Sequence, residues 1–239
     1  MPRTPLILSW SGGKDSALAL ARLRDDPRYD VVALLTAVTR EYDRISIHGV
    51  RHSLLDAQAA ALGLPVQEIS LSPRTTNEEY EAAFLRAVES ARRQYPGVNH
   101  IAFGDLFLDD VRSYREQLLR RAGMEPLFPL WGVDTTLLAQ QFVRDGFVAH
   151  LVCVDTQQLD ASFAGRRFDD ALLANLPASV DPCGERGEFH TFVSEGPIFT
   201  TSLSVTRGST VLRDERFAFC DLLPTSADPE SFESVTLTP

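Results

Sequence analysis

Short apolar runs alternate with amphipathic segments through the first half of the chain. An apolar run of this length between turn residues is typical of a buried strand, and apolar residues at helical spacing predict a helix. Each predicted helix is followed by glycine or proline before the next apolar run, which marks its end. The alternation predicts an α/β fold in which βα units form a parallel sheet. The predicted strands are residues 6–9, 31–38, 66–69 and 100–103, and the helices between them are residues 15–24, 52–62 and 77–94.

The second half begins with a proline-rich segment, residues 126–132, of sequence Pro-Leu-Phe-Pro-Leu-Trp-Gly. Proline lacks an amide hydrogen, so this segment is predicted to be an ordered crossover, neither helix nor strand. We place a domain boundary there, between a first domain of residues 1–130 and a smaller α/β domain of residues 131–222. Residues 223–239 are predicted to be a loose, polar tail. The smaller domain is predicted to contain helices at 135–144 and 168–175, a strand at 147–154, and β-rich runs at 198–205 and 210–212.

The composition is that of a globular protein that binds small molecules or another protein. Hydrophobic residues make up 44% of the 239 residues and charged residues 23%, and the net charge of −10 argues against a broad nucleic-acid surface. The N-terminus lacks the apolar core of a signal peptide, and no apolar stretch is near the ~18 residues that span a membrane. These features predict a cytoplasmic protein without membrane contact. Three widely spaced cysteines suit reduced thiols.

The chain contains one lysine and 22 arginines, and that lysine lies in a glycine turn between the first predicted strand and helix. The turn, residues 11–16, reads Ser-Gly-Gly-Lys-Asp-Ser. Adjacent glycines let the backbone approach a ligand, and the free amides at a helix N-terminus favour phosphate. The sequence is neither a Walker loop nor a dinucleotide fingerprint. It predicts a phosphate loop of another kind, with an ordinary glycine turn and a solvated lysine as the alternative.

Each residue of this phosphate loop has a role that follows from its chemistry. The hydroxyls of Ser11 and Ser16 can donate to phosphate oxygens, and the glycine amides can cradle the β and γ groups. Lys14 adds a compact positive charge. Asp15, in the first helical turn, could hold Mg²⁺ directly or through water, or could serve only as the acidic residue that a helix start favours.

Two more candidates follow the ends of predicted strands. Ligands of open parallel sheets bind beyond the carboxyl ends of the strands, so these ends and the phosphate loop should line one crevice. Backbone groups near Thr36 are positioned to form hydrogen bonds with the edge of an adenine. The alternative is that Thr36 is simply at the end of a strand and contacts no ligand. Gly104 and Asp105 are candidates for a metal or ribose contact, although Asp105 could instead cap the next helix.

A second cluster of reactive groups occupies residues 181–191, which read Asp-Pro-Cys-Gly-Glu-Arg-Gly-Glu-Phe-His-Thr. Glu185, Glu188 and His190 beside flexible glycines are typical of a site loop, and a charged surface turn is the alternative. The spacing matches no common zinc pattern. Cys183 has no neighbours in sequence that would lower its pKa, so we interpret it as structural.

Together the two motifs resemble those of the PP-loop ATP pyrophosphatases, also called adenine nucleotide alpha hydrolases. Within them, the diphthine–ammonia ligase type pairs the phosphate loop with a Cys-Gly-Glu-x-Gly-Glu-Phe/Tyr-His-Thr loop, here residues 183–191, and residues 126–132 are similar to a third segment. The resemblance covers residues 6–200. It implies a HUP/Rossmann-like doubly wound parallel sheet with a smaller α/β C-terminal domain that faces the phosphate loop.

The resemblance also implies an enzyme, a ligase that uses ATP and Mg²⁺. A substrate carboxylate attacks the α phosphate, pyrophosphate leaves, and ammonia displaces AMP to form an amide. The implied catalytic residues are Lys14 and Asp15, also the candidate metal ligand, together with Glu185, Glu188 and His190, which would orient ammonia or accept its proton. The candidate nucleotide-binding residues are Ser11, Gly12, Gly13, Lys14, Asp15, Ser16, Thr36, Gly104 and Asp105.

The chain departs from the pattern of diphthine-acting relatives at two places. Those relatives typically carry Tyr-Gln-Arg-x-Arg shortly after Gly-Asp, where residues 106–115 here read Leu-Phe-Leu-Asp-Asp-Val-Arg-Ser-Tyr-Arg, and Arg186 replaces the usual asparagine. Both changes fall at positions where we expect the substrate to be recognised. We therefore expect a small-molecule or peptide carboxylate as acceptor, which need not be diphthine.

Two other functions stay open. PP-loop enzymes include tRNA-modifying members, but the negative net charge and the lack of a Cys-x-x-Cys sulfur relay speak against that reaction. A protein that binds an adenine nucleotide without turnover is the second alternative, and the glutamates and histidine of the second motif speak weakly against it.

Overall fold

The computed structural model describes residues 2–46 and 48–225. Its larger sheet has five parallel strands in the order β4-β2-β1-β5-β6, and a two-residue strand, β3, pairs antiparallel with the end of β2. The order reverses between β1 and β5, so the crevice expected at such a reversal opens at the C-terminal end of β1. The strands are β1 (Thr4–Ser9), β2 (Tyr29–Thr39), β3 (Arg44–Ile45), β4 (Val66–Leu71), β5 (His100–Ala102) and β6 (Glu125–Leu127).

Four helices connect these strands: α1 (Lys14–Asp25), α2 (His52–Leu62), α3 (Asn77–Gln94) and α4 (Asp109–Arg121). Side chains of a strand alternate between the two faces of its sheet. Leu6 and Leu8 of β1 belong to the core that includes α1 and α2, whereas Ile7 belongs to the core that includes α3 and α4. The parallel sheet is therefore covered on both faces, and the predicted doubly wound fold is confirmed.

The C-terminal part of the chain forms a second sheet of four antiparallel strands in the order β8-β7-β10-β9. It shares one core with α1 and α2, so it packs on that face of the larger sheet. The elements of this part are α5 (Thr135–Arg144), β7 (Val148–Asp155), α6 (Asp170–Asn175), β8 (Phe189–Glu195), β9 (Val205–Arg213) and β10 (Phe217–Pro224).

Two local predictions were wrong. Pro126 lies within β6, which among the described residues pairs with β5 alone, so it is an edge strand and tolerates a residue without an amide hydrogen. Of the β-rich run 198–205 only Val205 is in a strand, because the backbone and hydroxyl of Thr200 donate instead to the carbonyl oxygen of Ala61 at the end of α2. A helix after Asp105 is expected from the sequence without defined bounds; this is α4, and its buried face is narrow, with Leu118 and Leu119 as the buried residues.

β10 extends through Pro224, so the first two residues of the predicted tail belong to the second sheet. Residues 226–239 of that tail lie outside the described part of the chain. Within residues 2–46 and 48–225, no helix is both long and apolar enough to cross a membrane.

Candidate active site

The phosphate loop joins β1 to α1 and takes its shape from its glycines. Gly12 has a φ of +79°, in the left-handed region that glycine adopts without strain. Gly13 is the N-cap of α1 and has no side chain with which to cap it. The capping oxygen comes from β8, where the Thr191 hydroxyl accepts from the Lys14 amide at 3.0 Å. A Cβ on Gly13 would lie 3.0 Å from the Thr191 carbonyl oxygen, so glycine allows this close approach of β8.

Gln58 of α2 fixes the loop from the other side and is fully buried. Its Oε1 accepts from the Trp10 indole at 2.9 Å, and its Nε2 donates to the carbonyl oxygens of Gly12 at 3.0 Å and Val193 at 2.6 Å. The Val193 amide donates to the same Gly12 oxygen at 2.9 Å. Every polar atom of the buried amide group thus has a partner, and the loop is held between α2 and β8.

The side chain of Lys14 is buried between the two parts of the protein. Its ammonium forms an ion pair with Asp15 at 2.8 Å, donates to the Cys183 carbonyl oxygen, and lies 5.5 Å and 5.9 Å from the ring centroids of Phe189 and Phe168. Burial lowers the pKa of Lys14, but the charge and hydrogen bond of Asp15 together with the charges of Cys183 and Glu185 outweigh it, so the pKa lies above its ordinary value. Lys14 is therefore a cation that links the phosphate loop to the second motif.

Asp15 has one oxygen in this ion pair, and its other oxygen, Oδ1, is buried without a hydrogen-bond partner among the described residues. Burial raises the pKa of this carboxyl, and the Lys14 ammonium opposes the shift. An unpartnered buried carboxylate oxygen is unfavourable unless a cation or a donor meets it. Asp15 is accordingly suited to hold Mg²⁺, an ion that prefers carboxylate and phosphate oxygens.

The hydroxyls of the phosphate loop are engaged within the loop. Ser16 Oγ donates to the Gly13 carbonyl oxygen at 2.8 Å, and Ser11 Oγ accepts from the Gly13 amide at 3.3 Å. Ser11 nevertheless lines two cavities that meet at the loop. Of the two predicted phosphate donors, Ser11 is therefore the one whose side chain faces open space.

The second motif consists of a loop, residues 181–188, followed by β8; we call residues 181–188 the acidic loop. Glu188 is 1% exposed, and its two oxygens accept from the amides of Asp181 and Arg186, both at 2.9 Å. Asp181 accepts in turn from the Cys183 amide and the Thr135 hydroxyl. These two carboxylates shape the loop from within, and Glu188 does not line the cavity at the phosphate loop.

Glu185 is the carboxylate of the acidic loop that faces the phosphate loop. Its Oε1 accepts from the Leu106 amide at 2.7 Å, directly after the Gly104–Asp105 turn, and the residue lines the same cavity as Lys14 and Asp15. Burial raises the pKa of Glu185 to about 7, and the neighbouring negative charge of Asp15 adds to the shift. Glu185 can therefore gain or lose a proton near neutral pH.

His190 lines this cavity beside a second histidine, His48, with 4.7 Å between the ring centroids. His48 Nδ1 lies 3.2 Å from the Thr191 carbonyl oxygen. A carbonyl only accepts, so Nδ1 carries the proton and Nε2 is left as the basic nitrogen. Burial lowers the pKa of His48 to about 4 and that of His190 to about 3. Both rings are neutral at neutral pH.

Cys183 is buried, and its thiol donates to the Thr135 carbonyl oxygen at 3.4 Å. Burial raises its pKa above the ordinary value. A protonated thiol is a poor nucleophile, so the geometry is that of a packed structural residue.

Two cavities meet at the phosphate loop and share Ser11 and His48. The smaller one, about 130 Å³, lies between the phosphate loop and the acidic loop; we call it the phosphate-loop cavity. The larger one, about 310 Å³, lies at the C-terminal ends of β1, β2 and β4; we call it the strand-end cavity. Its walls include Trp10, Leu35, Ala37, Ser46, Tyr80 and Arg115.

The residues predicted at the strand ends take different positions. Thr36 is buried and does not line the strand-end cavity, whereas its neighbours Leu35 and Ala37 do. Asp105 pairs with Arg115 at 2.7 Å and is not the cap of α4, whose N-cap is Leu108. A Cβ on Gly104 would lie 2.9 Å from the Asp15 backbone, so Gly104 packs against the start of α1. Gly104 and Asp105 therefore do not line the two cavities, and they contact residues that do, Asp15 and Arg115.

The two departures from the family pattern contact each other. The Arg186 guanidinium lies 5.4 Å from the ring centroid of Phe107. A planar cation over an aromatic face is a favourable contact. The arginine and the aromatic residue are therefore a matched pair that joins the acidic loop to the segment before α4.

Sequence reasoning missed His48, Gln58, Thr191 and Arg115. Gln58 is one polar residue in an alanine-rich helix, and His48 lies in a short connection after β3, so neither has a local motif. Gln58 lies on the side of α2 that faces the protein core. A buried glutamine needs hydrogen-bond partners, and this was the one available signal for its role. Thr191 ends the second motif, but its capping role was missed because the amide that it accepts from, that of Lys14, lies 177 residues away in sequence.

Comparison with known proteins gives two adjacent family matches. Residues 5–126 match the family model described as the diphthamide synthase N-terminal domain, and residues 134–222 match the diphthamide synthase C-terminal domain. Relatives named diphthine–ammonia ligase include those of Danio rerio, 26% identical over 87% of this chain and 89% of the relative, and Homo sapiens, 26% identical over 84% and 83%. A relative of that name from Schizosaccharomyces pombe is 25% identical over 82% of this chain, which corresponds to 35% of the longer relative.

Proposed function

The chain belongs to the diphthamide synthase family, and on that premise we propose that this enzyme is an ATP-dependent ligase that converts a substrate carboxylate into an amide with ammonia. ATP is cleaved to AMP and pyrophosphate in this proposal. The curated relatives carry the name diphthine–ammonia ligase, and this name supports both the ligase class and the use of ammonia.

One observation carries the proposal: the phosphate loop and the acidic loop meet across one cavity that holds Lys14, Asp15, Glu185 and His190. The first two residues suit the charged end of a nucleotide, and the last two suit proton transfer. Glu185, His48 and His190 line this one cavity, and ionisable groups gathered at the phosphate position are of the kind that proton transfer uses. The arrangement favours turnover over simple binding.

In the proposed complex the adenosine occupies the strand-end cavity and the β and γ phosphates lie at the phosphate loop. Trp10, Leu35 and Ala37 offer apolar surface for the base. The α phosphate then falls near Ser11 and His48, where the two cavities meet. Asp15, through its unpartnered Oδ1, would hold Mg²⁺, which would neutralise charge on the leaving pyrophosphate.

The chemistry assigned to the residues follows from their charges. Lys14 stabilises the pyrophosphate as it leaves, while the acceptor carboxylate bonds to the α phosphorus. Ammonia then attacks the carbonyl carbon of the acyl-adenylate, the new nitrogen loses a proton, and AMP leaves with the electrons of the broken carbon–oxygen bond. Ionised Glu185, with a pKa raised to about 7, is the group suited to accept that proton, whereas the neutral rings of His48 and His190 can orient ammonia by accepting a hydrogen bond from it. Glu188 has a supporting part only, because both of its oxygens are engaged.

The acceptor in this proposal is a small-molecule or peptide carboxylate, which need not be diphthine. The departures at residues 106–115 and at Arg186 motivate this choice, and the contact between Arg186 and Phe107 supports a common purpose for both changes. The relatives' printed substrate remains the first compound to test.

The test measures AMP and pyrophosphate from Mg·ATP and ammonium chloride, with a cell extract as the source of acceptors. Mass spectrometry then identifies which compound exchanges a carboxylate for an amide. We expect stoichiometric AMP and amide in the wild type and neither product with Lys14→Ala or Asp15→Ala. ATP hydrolysis to ADP, or normal turnover in these variants, contradicts the proposal.

The single lysine provides an independent binding assay. Protein labelled with ¹⁵N-lysine has one side-chain ammonium signal, that of Lys14. We expect ATP to shift this signal and adenosine to leave it nearly unchanged, because only ATP places phosphates at the loop. An identical response to both compounds would place the phosphates elsewhere.

A further inference from the structure

A third cavity, of about 340 Å³, lies between the two sheets; we call it the interdomain cavity. One wall is formed by the end of β2, β3 and the residues after β3, and the other by β9 and β10. Its volume is within the usual range of about 300–1,000 Å³ for small-molecule sites, which occur preferentially at such junctions. The proposed positions of ATP and ammonia do not use it.

The interdomain cavity adjoins the nucleotide end of the site. Ile45 and Ser46 line both this cavity and the strand-end cavity, and Gly49, one residue after His48, lines it as well. Gly49 has a φ of +67°, and a Cβ there would lie 2.8 Å from the Phe219 ring. The glycine lets this connection pack directly on β10, which brings the cavity beside His48. A ligand here could extend one end toward the proposed α-phosphate position.

The charges of this cavity favour an anion, although the whole protein carries −10. Arg44 and Arg213 line the cavity together with one carboxylate, Asp221. Asp221 is already paired twice, with Arg44 at 3.0 Å and with Arg51 at 2.5 Å. Arg213 lies over Phe219, 5.7 Å from the ring centroid, and adds a second positive charge to the wall. The acidic residues that follow it, Asp214 and Glu215, do not line the cavity.

Apolar surface accompanies these charges. Ile45 and Phe219 form part of the wall, and Tyr42 and Val211 line it as large hydrophobic residues that are 53% and 45% exposed. Exposed apolar surface beside convergent polar groups is typical of a ligand site. The cavity thus offers apolar surface with arginines at its wall, and it adjoins the strand-end cavity at Ile45 and Ser46.

We propose that the interdomain cavity binds the acceptor, and that the acceptor is a dicarboxylate whose second, unreacted carboxylate pairs with Arg213. This assignment rests on the proposed function. One carboxylate extends past Ser46 toward the α phosphate, the hydrocarbon middle lies on Phe219 and Val211, and the far carboxylate meets the guanidinium. A monocarboxylate of the same length would lack the last contact.

The test compares two six-carbon acids, adipate and hexanoate, by titration calorimetry on the full chain at constant ionic strength. We expect adipate to bind the wild type about tenfold more tightly than hexanoate, the effect of one charge-assisted pair. Arg213→Gln should abolish this difference and leave hexanoate binding unchanged. The control Arg144→Gln removes an exposed arginine of α5 far from the cavity and should preserve the difference.

A second variant tests the location. Ser209 lies on the exposed strand β9 and lines the cavity, so Ser209→Trp should fill the space without disturbing the core and should reduce binding of both acids. Equal affinity of the two acids, no binding of adipate, or adipate binding insensitive to Arg213→Gln and Ser209→Trp would overturn the assignment. Ammonia-dependent AMP formation would then leave the proposed function intact. Conversely, Arg213-dependent adipate binding without AMP formation from any acid would support the site and contradict the function.

Discussion

The phosphate loop and the acidic loop face each other across one cavity, yet they use their polar groups in opposite ways. In the phosphate loop, Asp15 leaves a buried oxygen unpartnered among the described residues. In the acidic loop, both oxygens of Glu188 accept backbone amides, and Asp181 is likewise engaged. The first loop is prepared for a ligand, whereas most of the second loop is occupied with its own shape.

This contrast limits what a cluster of charged residues can indicate. The acidic loop is dense in carboxylates, which is why its sequence predicts a site. In the structure Glu185 faces the cavity, whereas Glu188 and Asp181 stabilise the loop itself. A polar residue in a loop has to satisfy backbone donors before it can serve a substrate. Residue type and spacing do not show whether a carboxylate accepts from the backbone or acts on a substrate. Variants are needed to distinguish the two roles.

The largest expected effect is at the ion pair that joins the two loops. Lys14→Met alone should lower the free energy of unfolding by about 1–3 kcal/mol, because the partly buried Asp15 carboxylate would lose its cation. The double variant Lys14→Met/Asp15→Asn should recover most of that stability and still lose AMP formation by a factor of at least about 100. Chemical denaturation and an AMP assay measure the two effects. An active double variant would remove the phosphate loop from the reaction.

The matched pair Glu185→Gln and Glu188→Gln tests the division of duties within the acidic loop. Glu185→Gln should reduce amide formation about 100-fold with little change in melting temperature, because it removes a proton acceptor. Glu188→Gln should lower the free energy of unfolding by about 1–3 kcal/mol, because an amide nitrogen cannot accept a backbone amide. If the two variants exchange these phenotypes, the assignment of the glutamates is reversed.

The histidine pair predicts sensitivity to acid. The pKa values of His48 and His190 are lowered in the folded protein to about 4 and about 3, from an ordinary 6.5, so the unfolded chain takes up protons first as the pH falls. Stability should therefore fall as the pH drops below about 6.5, by about 2 kcal/mol per histidine at pH 5. His48→Gln and His190→Gln should each flatten the profile measured by urea denaturation. A profile unchanged in both variants would contradict their buried, neutral state.

Glu185 works in the opposite direction and can be separated from the histidines. Its pKa is raised to about 7 in the folded protein, so the folded state holds a proton that the unfolded state has lost between about pH 4.5 and 7. Its contribution to stability decreases as the pH rises through that window. Glu185→Gln should remove this decrease from the profile measured by urea denaturation.

The smallest expected effect concerns the cap that β8 provides to α1. Thr191→Val keeps the shape of the side chain but leaves the Lys14 amide without its acceptor, which should cost about 1 kcal/mol of stability. Thr191→Ser keeps the hydroxyl and is the control. Equal melting temperatures for valine and serine at this position would show that the cap contributes nothing.

The sequence by itself determined the features that depend on neighbours along the chain. Alternating apolar runs and helical segments gave the βα units, and the bounds of α2, α3 and α5 agree with the prediction because their end signals lie within a few residues. The glycines and lysine of residues 11–16 indicated a phosphate loop for the same reason. Pro126 misled the prediction, since an edge strand differs from a crossover only in where the neighbouring strand lies.

Only the tertiary structure decided how the site is assembled. The cap of α1 comes from Thr191, 177 residues away, and the clamp on Gly12 comes from Gln58 and Val193 on two other elements. His48 reaches His190 through the packing of the second sheet on the first. These partners are chosen by burial and by the need to pair every buried polar atom, which local spacing does not encode. The sequence therefore identified the reactive groups, and the fold determined which of them face the cavity.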